Sequence, residues 1–346
     1  VPHIDPNQGH TQVNPTTYSS MFIPLRFNLN HNKTLDDTNT LITNYKFNGS
    51  FYTNRNYSNA DQQLHRFNIG NEKIFIRDKK QRNELYAGIS LGYKKRLYVD
   101  RDTGDNQQSG PDDISDRYTY NFYGAELKYQ NKKNNFKYRL QADLESRDYV
   151  KAGTVSEYDN NKIGLAGDIS WRVIKPTKLY AGLEFYNIDY NTRPSRNENG
   201  DLFKSNPARK YSYSIFSVGV RHRFNHSWLV YLDLLNKQRD DKFKGYDNYT
   251  KILYKLRIHY RAMTRLKFKL SIVSWNRDYD NAFAFDHMEY GVKKTYDATI
   301  IKLAGIYQLK KDMTINISYL QNNQDSTDLR YVYDRAIALA TFEWRF

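Results

Sequence analysis

Strict two-residue alternation, connections that are tight and long by turns, and a final strand ending on an aromatic predict an all-β fold, a single antiparallel transmembrane β-barrel. The bulk numbers permit it. The 346 residues include 31 Tyr, 18 Phe and 4 Trp, yet mean hydropathy is −0.85. Disordered chains are poor in aromatics, so disorder does not fit. A helical membrane protein does not fit either, because no stretch approaches the roughly 20 apolar residues of a spanning helix. Barrel strands show lipid only every second residue, which keeps average hydropathy low. Cysteine is absent, which removes disulfides, thiolate metal sites and Cys nucleophiles. The start, Val1-Pro2-His3-Ile4-Asp5, has neither the basic nor the apolar region of a secretory leader, and reads as processed or trimmed.

Taken from the N-terminus, alternation places strands near 20–30, 40–53, 63–77, 84–99 and 117–130. The strand at 136–148 is the clearest: Phe136, Tyr138, Leu140, Ala142 and Leu144 are apolar, while Lys137, Arg139, Gln141, Asp143 and Glu145 are polar. Successive strand side chains point to opposite faces, so this run has one greasy side and one wet side. A helix would repeat at three and four residues instead. At 160–173 the apolar side is Ile163, Leu165, Ile169, Trp171 and Val173. Strands follow near 178–190, 210–224 and 228–238. At 249–262, Ile252, Tyr254, Leu256, Ile258 and Tyr260 oppose Lys251, Lys255, Arg257, His259 and Arg261. At 266–279, Leu266, Phe268, Leu270 and Ile272 oppose Lys267, Lys269 and Ser271. The last strands lie near 295–309, 313–322 and 333–346.

Their connections differ in kind. Tight turns fall at 131–135, 174–177, 225–227, 263–265 and 310–312, and long polar loops at 101–115, 191–209, 239–247, 280–294 and 322–329. Short periplasmic turns alternating with long extracellular loops are the habit of outer-membrane barrels, and a soluble sandwich has no reason to keep it. Tyr149, Tyr190, Tyr279 and Tyr319, near strand ends, are expected in interfacial aromatic girdles.

The last face, Ala336, Ala338, Ala340, Phe342, Trp344 and Phe346, resembles the C-terminal signature of the Gram-negative outer-membrane β-barrel superfamily. That resemblance implies insertion in the bacterial outer membrane, with Phe342, Trp344 and Phe346 as the signal read by the barrel-assembly machinery, and lipid and lipopolysaccharide as surroundings. Bacterial barrels usually have even strand numbers, and the pattern gives an odd one. Pro15 and Pro24 weaken the first segment, because proline removes a ladder donor. The expectation is therefore 14 strands over 36–346, with 1–35 as a periplasmic or lumenal arm; 16 is the alternative.

The formal net charge is +15, spread along the chain at alternate positions, so a pore surface suits it better than a nucleic-acid patch. Polar faces carry Lys137, Arg139, Arg147, Lys162, Arg172 and Lys302 among others, shared with Glu126, Asp143, Glu145, Asp168, Glu184, Asp233 and Glu343. Opposite charges on neighbouring strands pair and stiffen a wall. The excess is concentrated at Arg221, Arg223, Lys251, Lys255, Arg257, Arg261, Lys267 and Lys269, the candidate pore-lining set. Rings of Arg and Lys favour anions. The expected function is a channel or translocation pore with a basic lumen, passing an anionic solute or polymer. The closing hairpin, Ile315–Tyr319 through Tyr331–Arg335 to Phe342–Phe346, also resembles secretion barrels such as polysaccharide exporters and surface-lipoprotein assembly modifiers. That likeness implies a conduit working with a periplasmic protein partner. A structural or adhesive barrel with a filled lumen is a third expectation. No enzyme and no cofactor or metal is expected. His287 beside Asp286 and Glu289 is the one cluster resembling an acid–base site, and a solvated loop histidine is the plainer reading.

Overall fold

The computed structural model describes residues 21–53, 62–78, 80–97, 115–150, 158–284 and 291–344, together with the backbone at 108–109 and 112–113. The first strands are β1 Phe22–Thr34, β2 Asn39–Tyr52, β3 Gln62–Arg77 and β4 Gln81–Arg96. A two-residue ladder, β5 Gln108–Ser109 with β6 Asp112–Asp113, decorates the long connection that follows. Next come β7 Tyr120–Lys133, β8 Phe136–Tyr149, β9 Asn160–Ile174, β10 Thr177–Pro194, β11 Ala208–Arg223 and β12 Trp228–Asp241. The chain ends with β13 Tyr249–Arg261, β14 Leu266–Phe283, β15 Lys293–Gln308, β16 Met313–Ser326 and β17 Tyr333–Trp344. Leaving β5 and β6 aside, these form one 15-stranded sheet in strict chain order, each strand antiparallel to the next. β1 and β17 pair on one side only and are the sheet's edges.

The fold class is as the alternation predicts, and the described residues supply fifteen strands of the sheet, one more than the 14 expected. The fifteenth is β1, which pairs with β2 from Phe22↔Tyr52 to Thr34↔Thr40. So the later part of the expected arm is sheet, and 1–20 lies outside the described residues. Pro24 lies within β1. It costs little in β1, because an edge strand has one row of backbone groups without a ladder partner.

Turn chemistry fixes the hairpins. Between β1 and β2, Asp36 Oδ1 accepts from the backbone N–H of Thr38 at 2.7 Å and of Asn39 at 2.9 Å. Hydrogen bonds from the Asn39 side chain first, and from Thr38, hold the Asp36 carboxyl well below the usual carboxylate range. Between β7 and β8, Asn134 takes φ 51°, a left-handed value that asparagine tolerates in a tight hairpin.

One face of the sheet is apolar and uncovered. Leu165 is 62% exposed, Tyr254 60% and Ile317 64%, and the same parity repeats along most of the strands. A soluble protein rarely exposes a continuous apolar patch of such extent, whereas a barrel shows it to lipid. On this face, beside the short turns, Phe136, Trp171, Trp228, Phe268, Tyr307 and Trp344 are all exposed, and Trp228 stacks on Tyr260 at 4.4 Å. Aromatics collected at one level of an apolar face are what a membrane–water boundary carries. The girdle expected from Tyr149, Tyr190, Tyr279 and Tyr319 is corrected: Tyr319 alone lies on the apolar face. Tyr149 shares parity with Glu145 and Arg147 and packs 4.7 Å from Tyr120. Tyr190 and Tyr279 turn the same way, toward Tyr211 and Tyr249.

The opposite, polar face is the inner one, and its glycines are filled by neighbouring rings. At Gly92 an added Cβ would overlap the Phe122 ring and lie 2.5 Å from the His65 carbonyl oxygen, a backbone atom. At Gly305 the nearest atom to such a Cβ is 3.7 Å away, ordinary contact. Gly92→Ala is therefore expected to cost about 1–3 kcal/mol and to lower the unfolding midpoint in detergent, with Gly305→Ala unchanged. Equal midpoints for the two variants would refute this packing.

Candidate functional site

The inner face divides into three regions. Across β3 to β9 many of its charges are paired, although among the described residues Lys137 and Arg172 are not. Arg82 holds Glu72 at 3.2 Å and also binds Glu84. Lys128 meets Glu126 at 2.6 Å, Arg139 meets Asp168 at 2.5 Å, and Arg147 meets Glu145 at 2.6 Å. Lys162 lies 3.3 Å from Asp143. These pairs bridge or flank neighbouring strands and stiffen the wall while cancelling its charge.

The second region is the extracellular half of β10 to β15, where cations are sheathed in rings. Tyr186 and Tyr213 stack at 4.4 Å, and Lys237 Nζ donates to Tyr186 Oη at 2.7 Å. The Arg239 guanidinium sits 4.5 Å from the Tyr249 ring and 4.6 Å from Tyr211. Arg277 lies 4.9 Å from Tyr249 and 5.5 Å from Tyr296. Lys294 approaches the Tyr331 ring at 4.4 Å and the fully buried Asp328 at 3.2 Å. At its centre the Asp247 carboxylate accepts from Tyr211 Oη at 2.6 Å, with Arg239 at 3.6 Å and Arg209 at 4.0 Å. Cation–ring contacts strengthen when water is excluded, so in this layer rings take the place of acids beside most of the cations. The sequence reading missed it. Its signal was present in the parity of Tyr186, Tyr190, Tyr211, Tyr213 and Tyr249, which puts every one of them on the wet side.

The third region, the periplasmic half of β11 to β14, holds most of the predicted cations. All eight fall on the inner face, but not in one environment. Lys251 is in the aromatic layer, 3.5 Å from the Trp275 ring. Arg257 Nη2 lies 2.9 Å from Asp233 Oδ2, and Tyr180 donates to the same carboxylate, so this cation is neutralised. Arg221 leans on the Tyr231 ring at 5.7 Å. Lys255 is opposite Asp233 in the ladder without an ion pair. Among the described residues, no carboxylate lies within 4 Å of Arg221, Arg223, Lys255, Arg261, Lys267 or Lys269. Register gathers them: Arg261 is opposite Lys267 and His259 opposite Lys269, while Leu229 links Arg223 to His259. A cavity of about 470 Å³ opens here, lined by Arg223, His259, Arg261, Lys267 and Lys269 and also by Asp312 and Glu343.

Of the expected assembly signal, Phe342 and Trp344 stand on the lipid face, 59% and 57% exposed. Phe346 lies outside the described residues, as do Asp286, His287 and Glu289.

Neither a protein-family model nor a curated protein sequence matches this chain. Solved structures do. Over 93% of its length the chain superposes on 57% of the copper transporter OprC, at 12% identity and a TM-score of 0.55. Ferric citrate transporter FecA is matched over 89% of this chain and 52% of that one, at 11% identity and a TM-score of 0.48. OmpT, an outer membrane protein of Vibrio cholerae, is matched over 93% and 94%, at 8% identity and a TM-score of 0.45. The chain thus spans little more than half the length of the first two. At such identities the likeness is one of fold, and the OprC superposition carries it. That fold, an apolar face exposed along most of the strands and aromatics beside the short turns give the chain the architecture of a transmembrane β-barrel.

Proposed function

We propose that the barrel is an outer-membrane channel with a basic lumen that passes anionic solutes. The observation carrying this reading is the excess of cations around the inner-face cavity, where Arg223, Arg261, Arg265, Lys267, Lys269 and Lys311 stand against Asp312 and Glu343. A charge excess in a cleft with low-dielectric walls focuses the field and raises the local concentration of counter-ions.

Planar-bilayer recording of the full chain under a KCl gradient tests the reading. The expected reversal potential has the sign of anion preference. A cation-preferring channel, or a barrel that never conducts, overturns it in favour of a structural barrel.

A further inference from the structure

We propose that the periplasmic half of the inner wall is a track for a linear polyanion, taken up from the periplasmic side. This rests on the channel reading above and adds the substrate class and the direction from which it enters.

The first observation is extent. The acid-free cluster on β11, β13 and β14 continues sideways through register neighbours. Arg221 faces Lys178 on β10, Lys178 faces Arg172 on β9, and Lys137 faces Ser170 one step further on β8. The carboxylates beside this row are engaged already, Asp168 by Arg139 and Asp233 by Arg257 and Tyr180. From β8 to β14 the row crosses seven strands, and with neighbouring strands about 4.8 Å apart it is roughly 30 Å wide. A single small anion can touch two or three of these cations at once. A chain carrying a negative group on successive units can touch the whole row, and multivalent contact multiplies weak single interactions.

The second observation is asymmetry along the barrel axis. In the extracellular half the cations Arg239, Lys251, Arg277 and Lys294 are covered by rings or held by Asp247 and Asp328. In the periplasmic half Arg223, Arg261, Lys267 and Lys269 line an open cavity. Exposed charge captures an incoming polymer, whereas sheathed charge presents an aromatic surface to it. Capture therefore takes place at the end bearing the short turns.

Side-specific block of single channels tests this. The probe is linear polyphosphate long enough to span the row, with orthophosphate at equal total phosphate as comparison. Channel orientation is read from an epitope tag in the 197–200 loop. Block from the periplasmic side is expected at concentrations at least tenfold lower than from the loop side, and orthophosphate should block neither side at those concentrations. The triple variant Arg223→Gln, Lys267→Gln, Lys269→Gln should lose the preference, and Arg223→Lys, Lys267→Arg, Lys269→Arg should keep it. Equal block from both sides, equal block by orthophosphate, or full block in the triple Gln variant overturns the track. If that variant does not fold, the sidedness of the unmodified chain still decides. Anion preference without sided block sinks this inference alone, while absence of anion preference sinks the channel reading itself.

Discussion

Asp247→Ala is expected to destabilise the barrel by about 3–5 kcal/mol, the usual cost of leaving a buried charge without its partner. Asp247 is the acid shared by Arg209 and Arg239, whose side chains are 8% and 14% exposed. Removing it strands Arg239 among Tyr211, Tyr249 and Tyr279 and Arg209 beside Tyr211, and takes the acceptor from Tyr211 Oη. Urea unfolding in detergent micelles, followed by tryptophan fluorescence, measures the loss. Asp247→Asn keeps an acceptor for Tyr211 and should fall between the two. A wild-type midpoint for the alanine variant would show that the aromatic layer holds without its central acid.

The second large effect concerns selectivity. Converting Arg221, Arg223, Arg261, Lys267 and Lys269 together to Gln should move the reversal potential from anion preference to zero or beyond, because the remaining inner-face cations are mostly paired or ring-covered. The paired double variant Arg139→Gln, Asp168→Asn removes one charge of each sign from a 2.5 Å contact and should leave selectivity where it was. If the two variants shift the potential alike, selectivity is set by overall charge rather than by the acid-free cluster.

Much of this wall was legible in the sequence, and the reason is geometric. A period of two assigns each residue to lipid or lumen without any knowledge of neighbours, so all eight predicted cations, Arg221 to Lys269, fall on the inner face. What alternation cannot supply is register. Whether Arg257 meets Asp233, or Lys251 meets Trp275, depends on how far each strand slides past the next, and the sheet pairs Lys251 with Arg277 and Asp233 with Lys255. For that reason a set of like cations divides into neutralised, ring-covered and acid-free members. Tyr149, Tyr190 and Tyr279 show the opposite error. Their parity was available, and a habit of placing tyrosine at the membrane boundary overrode it. β1 was discounted for Pro24, a rule that holds for central strands and relaxes at an edge.

The free edges of the sheet carry a consequence for how the wall could ever be joined. Because each strand reverses the one before it, an odd number leaves β1 and β17 running in the same sense. Two such strands can be zipped only as a parallel pair, whose slanted bonds hold less well per residue than antiparallel ones, or through one further strand set against both. One lip of that seam bears Pro24, and the lipid side of the other is a run of alanines at 336, 338 and 340. Fourteen antiparallel pairings hold the described strands to one another, and the two edges are where the wall has yet to be joined.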